Sequence, residues 1–327
     1  MTMTLPKLNI ERTDRRLKLR DLRILLTVAE CGTMGKAAKR LAVSQPVVSK
    51  AISDMEHAVG VRLLDRSQRG VEPTPYGRAL IKRGVAIFDE MQQGLRDIEF
   101  LTDPTAGEVR VGATGPVSAA IVAPAIEQLS RQYPRMRFKA ITGDTVALLD
   151  ALEARKADLV ISRIGLRMPQ GHTIVILFHD EPKVVTGSKN PLTRRRTIAL
   201  ADLLNEPWIF LPPGGPFGSV QAAVFRTSGL EPPQPAIETL ALPLRAALLG
   251  SHRFLSIVPG FSIVLPRPHP ELVALPVKLK VAREPVGIVT LKNRSLNPAA
   301  QMFIECVREL TKPLAKSNQA GAVIASA

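Results

Sequence analysis

Cysteine is scarce in this 327-residue chain. Its two examples, Cys31 and Cys306, lie far apart, which argues against a disulfide framework and fits a reducing cytoplasm. Aromatic residues make up only 4%, and no basic stretch interleaved with aromatics offers a stacking platform for RNA or single strands. No run of 18 or more apolar residues occurs, so neither a membrane span nor a membrane partner is expected. The segment Met1 to Lys18 lacks the apolar centre of a secretory signal. Enzyme motifs are missing too: there is no Walker loop, no Gly-x-Gly-x-x-Gly, no cysteine pair and no His-Glu-x-x-His. The five histidines (His57, His172, His179, His252, His269) are scattered. No catalytic residue, cofactor or metal site is therefore assigned, and the chain is not expected to be an enzyme.

Acidic residues are the other deficit. Lys and Arg number 44 against 29 Asp and Glu, a formal charge of +15. A field of that sign attracts polyanions such as nucleic acid. The excess is densest at the start: residues 1–83 hold 17 basic and 8 acidic residues, whereas 84–107 hold 1 and 5.

Hydrophobic spacing divides the chain. Residues 1–18 read as a flexible basic arm. Three short helices follow, with apolar stripes at Leu22, Leu25, Leu26 and Ala29, at Ala37, Ala38 and Leu41, and at Val48, Ile52, Met55 and Val59. Ser44 stands as N-cap of the third, Pro46 in its first turn, and Gly60 at its end. Residues 62–66 and 71–74 form a small hairpin around 67–70. A long helix from Thr74 to Leu101 carries a seam at alternating spacings of four and three: Leu80, Gly84, Ile87, Met91, Gly94, Ile98 and Leu101. That spacing asks for a partner helix, and the glycines weaken it. After a linker at 103–107, strands alternate with helices, which predicts α/β units on a mostly parallel sheet. A last helix spans 298–314, and the tail from 315 to 327 is expected to be disordered.

The second and third helices joined by a tight turn predict a helix-turn-helix, the second of whose helices enters the major groove. At its leading end Gln45 can pair with an adenine edge, Ser49 can donate to a base or phosphate, and Lys50 brings charge, with Ser53 one turn on. Arg66 and Arg69 of the hairpin suit phosphate contacts, and Thr74 can offer a hydroxyl or an N–H to a phosphate.

Leu22 to Glu30, Ala37 to Lys50, Gly60 to Arg66 and Thr74-Pro75-Tyr76-Gly77 together resemble the LysR-type transcriptional regulators. The general texture of the first sixty residues is similar to the subgroup of the galactose-binding-protein regulator. The resemblance implies an α/β protein of three parts: a winged helix-turn-helix at 19–74, a linker and dimerisation helix at 75–103, and an effector domain at 108–312. That domain has two lobes like a type II periplasmic binding protein, lobe I of 108–182 and 285–312, lobe II of 183–284. It implies that Gln45, Pro46, Ser49 and Lys50 touch DNA while Arg66 and Thr74 meet its backbone. Where many members carry Arg, this chain has Lys50, a point charge in place of a bidentate fork. The arm before Leu19 departs from the family; Arg12, Arg15, Arg16 and Lys18 either reach a minor groove or stay solvated.

The resemblance further implies double-stranded promoter DNA, a small-molecule effector, a homodimer or homotetramer and, for an activator, RNA polymerase as partners. Effector contacts are expected at strand-to-helix turns: Thr114, Gly115 and Ser118; Thr145; Ser162 and Arg163; Pro213 and Gly214; Pro259 and Phe261. Arg163 either favours an anionic ligand or pairs with an acid of the opposite lobe, and sugar and carboxylate effectors both stay open. The family's disulfide switch needs two sensor-domain cysteines, and only Cys306 is there.

Overall fold

The computed structural model describes residues 16–67, 70–165, 170–213, 216–265 and 271–324. Arg12, Arg15, Arg69 and Gly214 lie outside them. Two compact units divide near Gly94.

The first unit opens with helices α1 (Leu19–Cys31), α2 (Met34–Arg40) and α3 (Gln45–Val59), followed by strands β1 (Leu64–Ser67) and β2 (Gly70–Pro73) in an antiparallel hairpin. Gly32 and Gly60 end α1 and α3 at φ 69° and 73°, a region open to glycine. The turn between α2 and α3 places Ala42 at φ 53°, a small strain accepted to swing the chain sharply. Leu25, Val28, Val48 and Ile52 are fully buried in one core. The α1 stripe is shifted from expectation: Ile24 is buried, while Leu26 and Ala29 are half-buried. Ser44 occupies the N-cap position without a side-chain cap bond. Glu56 Oε1 accepts the N–H groups of Leu63 and Leu64 at 2.8 and 3.1 Å, which ties α3 to the hairpin.

Helix α4 (Pro75–Thr102) begins where Thr74 turns the chain. The Thr74 hydroxyl donates to the Arg62 carbonyl at 2.8 Å and accepts from Gly77 N–H at 3.0 Å. A Cβ on Gly77 would run into the Leu63 carbonyl oxygen, so only glycine lets α4 lie this close to the hairpin. Gly77→Ala is accordingly expected to cost about 1–3 kcal/mol. Chemical denaturation of the purified protein measures it, and an unchanged midpoint contradicts the packing described.

In the second unit, one mixed sheet has the order β4-β3-β5-β12-β6. Its strands are β3 (Ala106–Ala113), β4 (Arg135–Thr142), β5 (Leu159–Arg163), β6 (His172–Asp180) and β12 (Glu284–Leu291). β3 runs parallel to β4 and β5, whereas β12 is antiparallel to β5 and β6. A second sheet has the order β11-β7-β10-β8-β9. Its strands are β7 (Lys183–Gly187), β8 (Trp208–Phe210), β9 (Ile237–Glu238), β10 (Leu255–Val258) and β11 (Leu272–Ala274). Here too β7 pairs antiparallel with β10 and β11. Both sheets are thus more mixed than the alternating pattern predicts, because the chain returns between them.

Helix α5 fills 115–132 and includes a π-helical turn, Ser118–Val122. Helices α6 (Thr145–Glu153), α7 (Pro216–Arg226), α8 (Leu242–Gly250), α9 (Phe261–Val264) and α10 (Pro298–Ile324) follow. The tail expected to be disordered from 315 is helical through Ile324, where α10 continues past Pro313. One reassignment concerns α9. Although it follows a strand of the second sheet, Phe261 and Leu265 sit in the core of the first, with Phe261 edge-on to Phe178 at 5.6 Å.

Buried charge ties the first lobe together. Asp158, fully buried, accepts from Arg110 Nη2 at 2.6 Å, from Arg110 N–H at 2.8 Å and from Arg294 Nη2 at 2.8 Å. At the open edge of the sheet, β4 presents Arg135, Arg137 and Lys139, all exposed. Cations on an edge strand discourage pairing with another chain.

Candidate DNA-contacting and effector-binding sites

Helix α3 has two faces. Val48, Ile52 and Met55 are at most 2% exposed, while Gln45, Pro46, Lys50 and Ser53 are exposed and Ser49 is half-buried. The polar leading end therefore faces outward on a rigid support. Val47, missed in the sequence reading, is 37% exposed there and is apolar, the character that meets a thymine methyl. Arg66 is exposed on β1. Thr74 is a correction: it is 6% exposed, its hydroxyl is engaged as described, and its N–H donates to the Leu63 carbonyl at 3.0 Å. Both its polar groups serve the fold.

The α4 seam also divides. Leu80 packs on the core of the first unit, and Gly84 admits Leu22 where a Cβ would meet it at 2.9 Å. Beyond these, Ile87, Met91, Leu95, Ile98 and Leu101 are 42–81% exposed.

In the second unit the expected effector residues sort by exposure. Thr114, Gly115, Ser118 and Thr145 are half-buried around the carboxyl ends of the parallel strands β3 and β4. That edge is where open α/β sheets bind ligands. Ser118 Oγ donates to the Ala113 carbonyl at 3.3 Å and lies 3.4 Å from Thr142 Oγ1, a further exposed hydroxyl absent from the sequence reading. Ser118 also opens the π-turn, a geometry frequent at functional sites. Pro213 is exposed, and its loop is braced by Gln221, whose Oε1 accepts Leu211 N–H at 2.8 Å.

Four expected contacts are already occupied by burial or pairing. Ser162 is fully buried and donates to the neighbouring Arg163 carbonyl at 3.2 Å. Pro259 is buried and Phe261 is 2% exposed, its ring spent on Phe178. Arg163 is ion-paired with Asp180 at 2.7 Å and Glu284 at 2.5 Å, at the ends of adjoining strands of its own sheet. The pairing anticipated as the alternative exists, though not with the opposite lobe.

Asp180 does more than neutralise Arg163. Its Oδ1 accepts Phe261 N–H at 2.9 Å. Burial pushes its carboxyl up from the ordinary value, against the opposing pull of Arg163 and the N–H groups of Phe261 and Gly260. Beside it, Glu181 pairs with Lys183 at 3.0 Å and Arg283 at 3.5 Å, where the chain passes between the sheets. Cys306 is buried, which pushes its thiol up and leaves little reactive thiolate.

Comparison with known proteins places these sites in context. Residues 19–78 match the family described as bacterial regulatory helix-turn-helix protein, lysR family, and residues 102–312 match the LysR substrate binding domain. Similar curated proteins include the HTH-type transcriptional regulator GbpR of Azospirillum brasilense, 28% identical over 295 residues, covering 90% of this chain and 86% of that one. GbpR of Rhizobium radiobacter is 30% identical over 234 residues, covering 70% and 76%. Among solved structures, full-length OxyR from Pseudomonas aeruginosa aligns with a TM-score of 0.64 at 21% identity, over 92% of this chain and 97% of that one. Full-length CbnR complexed with its target DNA aligns at 0.59 and 24%, over 90% and 99%. At these identities the structures show a shared fold.

Proposed function

This chain belongs to the LysR family of DNA-binding transcriptional regulators, and from that premise we propose that the leading end of α3 reads promoter sequence while a small molecule between the two α/β lobes sets the regulator's activity. The observation that carries the DNA half is the two-faced α3: base-pairing side chains held outward by a fully buried Val48 and Ile52. Gln45, Pro46, Val47, Ser49, Lys50 and Ser53 address the groove; Arg66 addresses phosphate. The solved CbnR–DNA complex supports this reading, because the two chains share the fold.

The exposed stripe of α4 from Ile87 to Leu101 supports a homodimer, itself able to pair into a tetramer. Two winged helices on two half-sites multiply an affinity that one small module cannot reach. The regulator works in the cytoplasm, where its promoter is, with RNA polymerase as partner if it activates. For the effector half, Thr114, Ser118, Thr142 and Thr145 offer hydroxyls at one edge of the cleft, which serve a sugar or a small carboxylate.

Selection from a random duplex library tests the DNA half. The protein is expected to enrich one motif and to bind it about 1,000-fold or more tightly than a scrambled duplex at the same salt. Equal affinity for both contradicts the assignment. Arg66→Ala is expected to weaken binding to every duplex alike and to lower the slope of log K against log salt by about 0.9. An unchanged slope would remove Arg66 from the phosphate contacts.

A further inference from the structure

Helix α8, Leu-Pro-Leu-Arg-Ala-Ala-Leu-Leu-Gly, is apolar except for Arg245. Leu249, one turn on, is 1% exposed in the core of the second sheet with Val185, Ile209 and Val258. Leu242, three residues before, lies against Gly115 at the start of α5, where a Cβ would strike its Cδ1. Arg245 falls between these points, on the face of α8 that runs from the second sheet toward the ligand edge of the first. It is only 6% exposed.

No described residue balances this charge. Its Nη1 is sealed from solvent and donates to no partner, and the guanidinium makes no ion pair with any described residue. The segments outside the described residues hold no Asp or Glu after Asp14, so no acid of the two lobes is missing from that statement. The contrast with the other buried arginines is sharp: Arg110 and Arg294 both rest on Asp158. A guanidinium stays protonated at any physiological pH. Burial without an anion is therefore a standing cost, which an incoming anion relieves. Burial also pulls Arg245 below its ordinary value, the same cost expressed as proton affinity.

We propose that the effector is an anion whose carboxylate meets Arg245, its remaining polar groups facing the hydroxyls of Thr114, Ser118 and Thr145. The proposal rests on the reading that a small molecule occupies the space between the lobes. A carboxylate suits the planar fork, which takes two oxygens at once.

The test uses the full-length protein and Arg245→Met, a flexible apolar replacement. Matched pairs of acid and neutral analogue serve as probes in thermal-shift and calorimetric titrations: benzoate and benzamide, succinate and succinamide, gluconate and glucose, extended to a broad set of carboxylates. The ligand-free variant is expected to melt several degrees above wild type, since an unpaired buried charge has gone. At least one acid is expected to raise the wild-type Tm while its neutral analogue does not, and to bind the variant at least 30-fold more weakly. A variant that melts lower gives Arg245 a structural role and overturns the proposal. A wild-type Tm unmoved by every acid overturns it as well. If a neutral analogue binds both proteins equally, the carboxylate fails and the effector cleft stands; DNA selection is unaffected in either case.

Discussion

Asp158→Ala is expected to destabilise the two-lobed unit by about 3–5 kcal/mol, the largest single effect anticipated in this protein. The carboxylate is fully buried, and the side chains of its two partners are 11% and 0% exposed. Removing it leaves two guanidiniums in a dry interior. The Arg155 carbonyl would still accept from Arg110, at 3.0 Å, and the Ala157 carbonyl from Arg294, at 2.5 Å. Neutral carbonyls do not offset full charges. For a unit of this size the loss corresponds to about 10 °C in Tm. Calorimetry of the purified variant measures it; a drop below 2 °C would mean that solvent or relaxation supplies what the carboxylate does. The site also shows what burial demands of a cation, which is why Arg245, with no such partner, stands apart.

The second large effect falls on recognition. Replacing Gln45 and Ser49 together by alanine is expected to reduce affinity for the selected motif by about 2–6 kcal/mol, at 1–3 kcal/mol for each lost base contact. Affinity for scrambled duplex should change little, because the charges of Arg66 and Lys50, which attract any duplex, are untouched. The fold should survive, since neither residue belongs to the core at Val48 and Ile52. Equal weakening on motif and scrambled duplex would assign the two side chains to positioning rather than to base reading.

The first unit was nearly complete in the sequence, because short local periods decide it. Val48, Ile52 and Met55 fall on one helical stripe, and Gly32 and Gly60 mark helix ends. Where the local signal misled, a tertiary contact had claimed the residue. Thr74 looks like a free hydroxyl in sequence but is the bond between the hairpin and α4. Gly84 reads as a flaw in a coiled-coil seam but is the gap that Leu22 fills. In the second unit β3, β4, β5, β8, β10 and β12 were legible, whereas β6, β7, β9 and β11 were not. Their pairing depends on residues far away, and β9 spans only Ile237–Glu238. Phe261 follows a strand-to-turn pattern typical of ligand sites, yet nothing local reveals that Phe178 covers it. Arg245 did carry a signal, a lone cation in nine otherwise apolar residues, which only burial makes meaningful.

Asp180 has a mechanical consequence. One of its oxygens holds Arg163 in the first sheet and the other takes the Phe261 N–H just beyond β10, while both passages of the chain between lobes lie alongside. The Arg163 pair lies within the first sheet, so of the two bonds it is the one to Phe261 that sliding the lobes past each other would tear. Turning them about this carboxylate keeps both, as a door leaf turns on its pin, and the displacement grows with distance from the pin. An effector that turns the lobes in this way is expected to produce its largest movements at the rim of the cleft farthest from Asp180.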